Sequence, residues 1–391
     1  DGERVREEYD VIAGKLERVN ADLADQAGNI NFRSSKQLAA LLYDKLGFAE
    51  LLGRGGEPKR TAGGGRCTDA ATISMLDAKT EAQRRFSETI SLYSNLKYEH
   101  DTIGKMLACV EENGGLLQAR FNQSVTQTHR LSSSGEKYAI QFQNIKRTFK
   151  RLFKARRPEW LVGESDGAQL EFRVAAHLGR DARAGHDIRT EFDVHRFTAS
   201  VLNRVPEDAV TKAQRQDAKA HTFKPLYGGR SGTKREVEYY EAFRARYPGI
   251  YNTQQGWTTS VLRNKKLRTE TGLYFYWPDT KLDARSGYIT NSTSIFNYPV
   301  QSLATADIIP IALVYMWHRL RAAGLQAFIV NTIHDSIIPE VHPNSVEGFQ
   351  ELSRTCFTDD VFSYLGRVYR ITFSVPLGVE TKVGTHWNDG I

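Results

Sequence analysis

Two aspartates and one four-residue repeat carry the residue types best suited to chemistry in this sequence. Asp166 follows the apolar run Trp160-Leu161-Val162 and precedes a helical pattern. Asp335 lies between two short apolar segments, AFIVNTI and IIPEV, which predict a hairpin over 326–341. Acids at strand ends are held rigidly. Two such carboxylates can share two Mg²⁺ ions, one activating a hydroxyl and one neutralising a phosphate and its leaving group. Taken singly, each Asp reads more readily as a turn or cap residue. The repeat lies in RQDAKAHTFKPLYGG, where Arg215, Lys219, Phe223 and Tyr227 recur every four residues. Each such step drifts about 40° around an α-helix, so the first three share one face. Two cations followed by an aromatic suit a triphosphate with a sugar or base beyond it. A solvated cationic face backed by core aromatics fits the same pattern.

The elements that must position these groups are partly legible. Residues 1–24 read as an amphipathic helix, with Val5, Tyr9, Ile12, Leu16 and Val19 at helical spacing. A second helix opens at Ser34 with Leu38, Leu41, Leu42 and Leu46 on one face. A Gly-rich basic loop is predicted over 53–66 and a long charged helix over 79–111. This first third reads as an extended polar arm rather than a core. From about residue 115, LLQARFNQSVTQTHRLSSS predicts strands and turns, and WLVGESDGAQLEFRVAAHL predicts a strand running into a helix. Residues 205–300 read as helical, then rich in Tyr, Thr and Gly. Pro225 has no N–H to give the His221 carbonyl, which predicts a kink or helix end, and Gly228-Gly229 supplies a stop.

A chain of 391 residues exceeds one small core and predicts two or three subdomains. Its 40% hydrophobic and 25% charged residues are ordinary for a soluble globular protein. The net charge of +7 favours a polyanionic partner. Cys67, Cys109 and Cys356 are scattered and odd in number, which argues against a disulfide framework or zinc site and for a reducing, intracellular compartment. No secretion signal is visible at the start. The apolar stretch 308–317 is interrupted by Pro310 and reads as too short to span a bilayer, so no membrane partner is expected. The opening Asp, in place of Met, is expected of a processed product or a fragment of a longer protein.

Three separated segments resemble the motifs of the A-family, DNA polymerase I-like, DNA polymerases, in order. SDGAQLEFRVAAHL resembles DYSQIELRVLAH, RQDAKAHTFKPLYGG resembles RxxxKxxxFxxxYG, and NTIHDSIIPEV resembles the segment built around HDE. Further likenesses are RFNQSVTQTHRLSSS, FQNIKRTFKRLF, FNYPVQSLATADI, the early INFRSSKQLAALLYDKLGF and the closing VPLGVETKVGTHW. Together they cover nearly the whole chain.

The resemblance implies an α+β, right-hand polymerase fold: a helical thumb at 1–105, a palm from 106–200 and 301–391 around an antiparallel sheet, and fingers at 201–300. It implies template-directed addition of dNTPs to a primer 3′-hydroxyl on primer–template DNA. Asp166 and Asp335 would hold two Mg²⁺ ions, with Mn²⁺ able to substitute, and the Gly167 carbonyl would be a third ligand. Arg215 and Lys219 resemble the phosphate clamp, and Lys219 also the general acid for pyrophosphate departure. Phe223 resembles the residue against the incoming sugar, Tyr227 the guard of the templating position, and Glu171 the steric gate against ribonucleotides. Gln169 and His195 resemble further nucleotide-site residues. Arg130, Gln143, Asn144, Asn297 and Gln301 resemble readers of the duplex, suited to shared minor-groove acceptors. Helix capping is the competing reading of Asn297 and Gln301. His334 resembles a residue near the primer end, or else a turn histidine.

The departures are specific. Ser336 stands where the family has Glu, Gly167-Ala168 replace Tyr-Ser, and His129 stands where Gly is usual. A longer connection separates Ser134 from Gln143. Lys224-Pro225 before Leu-Tyr-Gly-Gly is closer to phage- and plastid-type branches. The motifs fill the chain, so no proofreading exonuclease is expected within it; such a domain, or other replication partners, would lie upstream or apart. A reverse transcriptase using RNA templates and an inactive DNA-binding scaffold of the same fold are the remaining alternatives.

Overall fold

Helix-forming sequence with internally capped ends dominates the first part of the chain, and short antiparallel strands appear only afterwards. The structure is a computed structural model. It describes residues 1–391 except 29, 54–55, 124, 135–136, 139, 284–286 and 390–391. It divides into two compact units, 1–119 with 135–140, and 120–134 with 141–391.

In the first unit, α1 (Gly2–Ala27) buries Val5, Ile12, Leu16, Leu23 and Ala27 along one stripe, as its spacing predicts. After α2 (Ser35–Ala39), a π-helical turn over Ala40–Lys45 and α3 (Ala70–Met75), the chain enters α4 (Glu81–Asn113). Thr80 and Gln83 form a capping box at its start, and Gly114 ends it at φ 59°. The expected arm without a core is corrected here. Leu23, Leu38, Leu41, Leu42, Phe48, Ile73, Phe86 and Ile90 close a hydrophobic core of their own. The apolar stripes of α1 and of the helix opening at Ser34 are readable in the sequence; the apolar side of α4 and the meeting of the three are not. In the predicted Gly-rich loop, Arg54 and Gly55 lie outside the described residues, and the remainder makes two isolated bridges, Leu52 with Pro58 and Arg60 with Arg66. Of the longer connection after Ser134, residues 135, 136 and 139 likewise lie outside the description.

The second unit is α+β with antiparallel sheets. Its short ribbon pairs β1 (Arg120–Asn122) with β2 (Ser132–Ser134), and α5 (Arg147–Lys150) leads to β3 (Leu161–Gly167). Helices α6 (Leu170–Leu178), α7 (Ala182–Arg189), α8 (Val194–Asn203), α9 (Lys212–Thr222), α10 (Lys234–Arg246) and α11 (Pro248–Asn264) follow. A second ribbon joins β4 (Lys266–Arg268) to β5 (Tyr274–Tyr276). Next come α12 (Ser292–Gln301), α13 (Ile309–Ala322), β6 (Ala327–Ile333), β7 (Ser336–Val341), α14 (Val346–Thr355), α15 (Val361–Tyr364) and β8 (Val379–Gly384). The main sheet has the order β6-β7-β3-β8, every pair antiparallel. β3 is therefore central. Gly163 is small because a Cβ there would meet the Pro339 ring on β7 at 2.9 Å.

Two expectations shift. The strand inferred to end near Val162 runs on through Asp166 to Gly167. The apolar run around 308–317 does not stop at Pro310. A π-helical stretch over Ser302–Ile308 carries α12 into α13, and Pro310 falls in the first turn of α13. The 31-residue helix over 292–322 is long and apolar enough to cross a membrane, yet half of its apolar window is buried inside the protein. Ile308, Ile309, Ala312 and Met316 pack with Phe172, Phe349 and Phe357 in the main core. The expected stop after the repeat is found: α9 ends at Thr222, a 3-10 turn runs over Lys224–Tyr227, and Gly228 takes φ 83°.

One buried acid starts two helices. Asp181 accepts from the Ala184 N–H at 2.9 Å in α7 and from the Gly249 and Ile250 N–H groups at 2.7 and 3.1 Å in α11. These are first-turn donors with no intrahelical acceptor. Asp181→Ala is expected to destabilise the protein by about 2–3 kcal/mol, because three donors, two of them buried, lose their acceptor together. Chemical denaturation measures this; a loss below about 0.5 kcal/mol would mean water replaces the carboxylate without cost.

Candidate active site

Strand pairing brings the two aspartates together. Asp166 is opposite Ser336 on β7 and opposite Glu380 on β8. Asp335 sits in the turn joining β6 to β7, and its carbonyl accepts from the Gly167 N–H at 3.0 Å. Ser165, on the alternate face of β3, bonds Thr381 at 3.1 Å and Ser353 of α14 at 2.9 Å. That hydroxyl cluster ties β3 to the layer beneath and leaves Asp166 on the other side. The Ser336 hydroxyl donates to Asp166 Oδ1 at 2.6 Å. Sequence reasoning treated Ser336 only as a missing Glu; its role as a partner of Asp166 follows from the β3–β7 register, which no local pattern discloses.

Both carboxyls are electrostatically uncomfortable. Burial, and after it the charge of Asp166, pushes Asp335 up to about 7. Burial also raises Asp166, against the stabilising hydrogen bond from Ser336, with Glu164 adding to the rise. Lys150 is already committed to Glu164 at 2.7 Å and lies over the Trp387 ring at 4.6 Å. A half-buried acid pair of this kind is relieved by a cation. Among the described residues there is no group of three or more His, Cys, Asp or Glu side chains placed to hold a metal ion. Two carboxylates alone suit Mg²⁺, which commonly takes one or two protein carboxylates and fills its shell with water and substrate phosphate.

The start of α6 adjoins this pair. Gln169 is exposed at φ 49°, immediately before the helix. Glu171 accepts from Arg130 at 2.5 Å, and the same guanidinium donates to Thr305 at 2.7 Å. Burial raises the Glu171 carboxyl and Arg130 offsets part of that rise. Gln143 is 7% exposed, and both ends of its amide are used within the protein. Its Nε2 donates to the Thr332 carbonyl at 2.6 Å and its Oε1 accepts from the His334 N–H at 2.9 Å. It braces the turn that carries Asp335 in place of presenting a free amide, a placement invisible before the fold was known. His334 is exposed at φ 51° in that turn. Asn144 is exposed and bonds Gln141 at 3.0 Å.

A second group forms around α9. Arg215 is bonded to Asp193 at 2.6 Å, and Asp193 also caps α8. His195 bonds Thr222 at 2.9 Å; burial and the nearby Arg215 cation lower its pKa, so the imidazole is neutral near pH 7. Lys219 is exposed one turn beyond Arg215. Phe223 is 5.6 Å from both the His195 and Phe172 rings, and Phe172 follows Glu171 in α6. Thus α6 connects the acid pair to the cationic helix. Tyr227 ends a turn that packs on α12, where a Cβ on Gly228 would meet Phe296 at 2.9 Å. Asn297 and Gln301 lie on α12, and the buried Asn297 Oδ1 has no hydrogen-bond partner. No bond links these three to the acids. Asp193 and Thr305 were missed by the sequence reading; DVHRF does carry the helix-start signal that marks Asp193.

Comparison with known proteins gives one consistent family. The model of DNA polymerase family A matches residues 3–389. DNA polymerase I of Pseudomonas aeruginosa is 29% identical over 96% of this chain and 40% of its own length. The thermostable DNA polymerase I of Thermus aquaticus is 29% identical over 96% and 44%, and DNA polymerase I of Geobacillus stearothermophilus 30% over 96% and 41%. The chain thus spans about two-fifths of these relatives. Among solved structures, the POL domain of Pol1 from M. smegmatis, in complex with DNA primer–template and dNTP, matches with a TM-score of 0.79 over 99% of this chain and 66% of that one, at 24% identity.

Proposed function

This chain belongs to DNA polymerase family A, and on that premise we propose that it extends a primer 3′-hydroxyl with dNTPs on a DNA template, releasing pyrophosphate. The observation that carries the reading is the meeting of Asp166 and Asp335 at the end of β3 and the β6–β7 turn, two carboxyls raised chiefly by burial, Asp335 also by the charge of Asp166. The family match and the primer–template and dNTP bound by the M. smegmatis domain support the same partners here.

Two Mg²⁺ ions, or Mn²⁺ in their place, would be held by Asp166, Asp335 and the Gly167 carbonyl and would supply activation of the hydroxyl and neutralisation of the phosphates. The remaining work falls to the chain itself. Ser336 orients Asp166. Arg215 and Lys219 bind the triphosphate, Arg215 exchanging Asp193 for a phosphate oxygen. Lys219 delivers a proton to the departing pyrophosphate. Neutral His195 and Gln169 hydrogen-bond the nucleotide, Phe223 stacks against its sugar, and Tyr227 guards the templating position. Arg130, Asn144, Asn297, Gln301 and His334 contact the primer–template, and Gln143 acts through the turn it braces. In this reading residues 1–105 serve as thumb, 106–200 with 301–391 as palm and 201–300 as fingers. The match over 3–389 to a polymerase model supports the absence of a proofreading exonuclease from these residues.

Primer extension with four dNTPs and Mg²⁺, run beside Asp166→Ala, tests the whole. Extension by the wild type alone is expected; no extension by a protein that still binds duplex would favour an inactive scaffold. Glu171 fills the space beside the nucleotide sugar and is pinned there by Arg130. Glu171→Ala is expected to raise ribonucleotide use relative to dNTP by about 100-fold, a steric penalty of roughly 3 kcal/mol. Unchanged sugar selectivity in single-nucleotide kinetics would remove Glu171 from that role.

A further inference from the structure

The β4–β5 ribbon presents a feature the proposed reaction does not use. Its outward face carries Tyr274 and Tyr276, 45% and 66% exposed, while Phe275 between them is buried among Val261, Trp277, Ile295 and Phe296. The two exposed rings are stacked, with centroids 6.3 Å apart and planes 28° from parallel. Lys266 is paired across the ribbon with Tyr276 and Arg268 with Tyr274, and both cations are exposed. Lys266 lies 5.3 Å and Arg268 6.0 Å from the Tyr274 ring centre. The approach is basic as well: Arg263, Lys265, Lys266 and Arg268 fall within six residues without an acid. Among the described residues, neither Lys266 nor Arg268 has a carboxylate partner.

Stabilising the ribbon does not require this arrangement. Phe275 already anchors β5, and cross-strand Lys–Tyr contacts contribute little on a solvated face. Two exposed aromatic rings, spaced at about twice the ~3.4 Å nucleotide rise and flanked by free cations, instead match what unpaired nucleotides need. Bases stack on the rings whatever their identity, and the cations meet the phosphates. Duplex DNA has its base faces covered and gains only the charge contacts. We propose that the β4–β5 ribbon is a docking platform for single-stranded DNA, with Tyr274 and Tyr276 stacking bases and Lys266 and Arg268 holding the backbone.

The test uses the full chain and an oligothymidylate carrying 5-iododeoxyuridine, followed by photo-crosslinking and peptide mapping. Adducts at Tyr274 or Tyr276 are expected; adducts confined to other segments overturn the proposal. Fluorescence anisotropy with a labelled oligothymidylate adds the energetics. Tyr274→Ala/Tyr276→Ala is expected to weaken binding at least about fivefold per ring, and Tyr274→Phe/Tyr276→Phe to restore it, since the benzene face suffices for stacking. Lys266→Ala/Arg268→Ala is expected to lower the slope of log affinity against log salt by about 0.7 per cation lost. Wild-type affinity in the double alanine variant, or equal losses in the alanine and phenylalanine variants, also overturns it. Thermal melts of each variant separate a folding defect from a lost platform, and crosslinking of the wild type decides the matter without any variant.

Discussion

Asp335→Asn is expected to slow primer extension by about a thousandfold or more while leaving duplex binding intact. The change removes one charge from a pair that would hold two cations, and charge stabilisation of that kind is worth several kcal/mol, or about 1.4 kcal/mol per tenfold in rate. The same substitution should reverse sign as a stability effect. Burial and Asp166 raise the Asp335 carboxyl from 3.8 to about 7. Between those values the folded protein keeps a proton that the unfolded chain releases. The stabilisation is therefore complete below the unfolded pKa and is lost as pH rises through 7. Without divalent ions, the wild type should lose on the order of 2–4 kcal/mol over that interval, and Asp335→Asn should lose much less. At pH 8 the inactive variant should then be the more stable protein. Mg²⁺ should raise the wild-type Tm there and barely move that of the variant. Parallel pH–stability curves, or equal Mg²⁺ effects, would show that Asp335 is neither strained nor a metal ligand.

Arg246→Ala is expected to cost about 3–5 kcal/mol, because it strands a buried acid. Asp187 is almost fully buried in α7, and Arg246 Nε and Nη2 both lie 2.8 Å from its Oδ2. The Tyr247 hydroxyl donates to the same oxygen at 3.0 Å, and Arg183 lies 2.9 Å from the other. The Arg246 guanidinium also covers the Phe192 ring at 3.9 Å and the Phe197 ring at 4.9 Å. One side chain thus joins the end of α10 to α7 and to α8, which carries Asp193 and His195. Adding Asp187→Asn to the variant should recover part of the loss, since an amide tolerates burial better than an unpaired carboxylate. Urea denaturation of both proteins measures this. A loss under about 1 kcal/mol in Arg246→Ala would mean that Arg183 and Tyr247 satisfy Asp187 unaided.

Much of the site was readable because it is written in local pattern. The strand into helix around Asp166, the hairpin around Asp335, and the helix broken before Pro225 all follow from apolar runs, turn residues and a missing N–H. The family likeness was readable for the same reason, since its motifs are short segments in fixed order. The first core is not: the stripes of α1 and of the helix opening at Ser34 are legible one by one, but 79–111 reads only as a charged helix, and nothing local shows that Phe86 and Ile90 close on the other two. Locally, Ser336 reads only as the replacement of a Glu, and Gln143 as a reader of the duplex.

The sequence by itself determined which residues could do chemistry, the kind of element around each of them, and the family to which the chain belongs. Only the tertiary structure decided which groups meet. The Ser336–Asp166 bond depends on the register of β7 against β3, the bracing of the Asp335 turn on an amide 191 residues before His334 in neither strand, and the Arg215–Asp193 bond on how α8 packs against α9. Local preference acts over a few residues, whereas burial, and with it the rise of Asp335 to about 7, is a property of everything packed around a group.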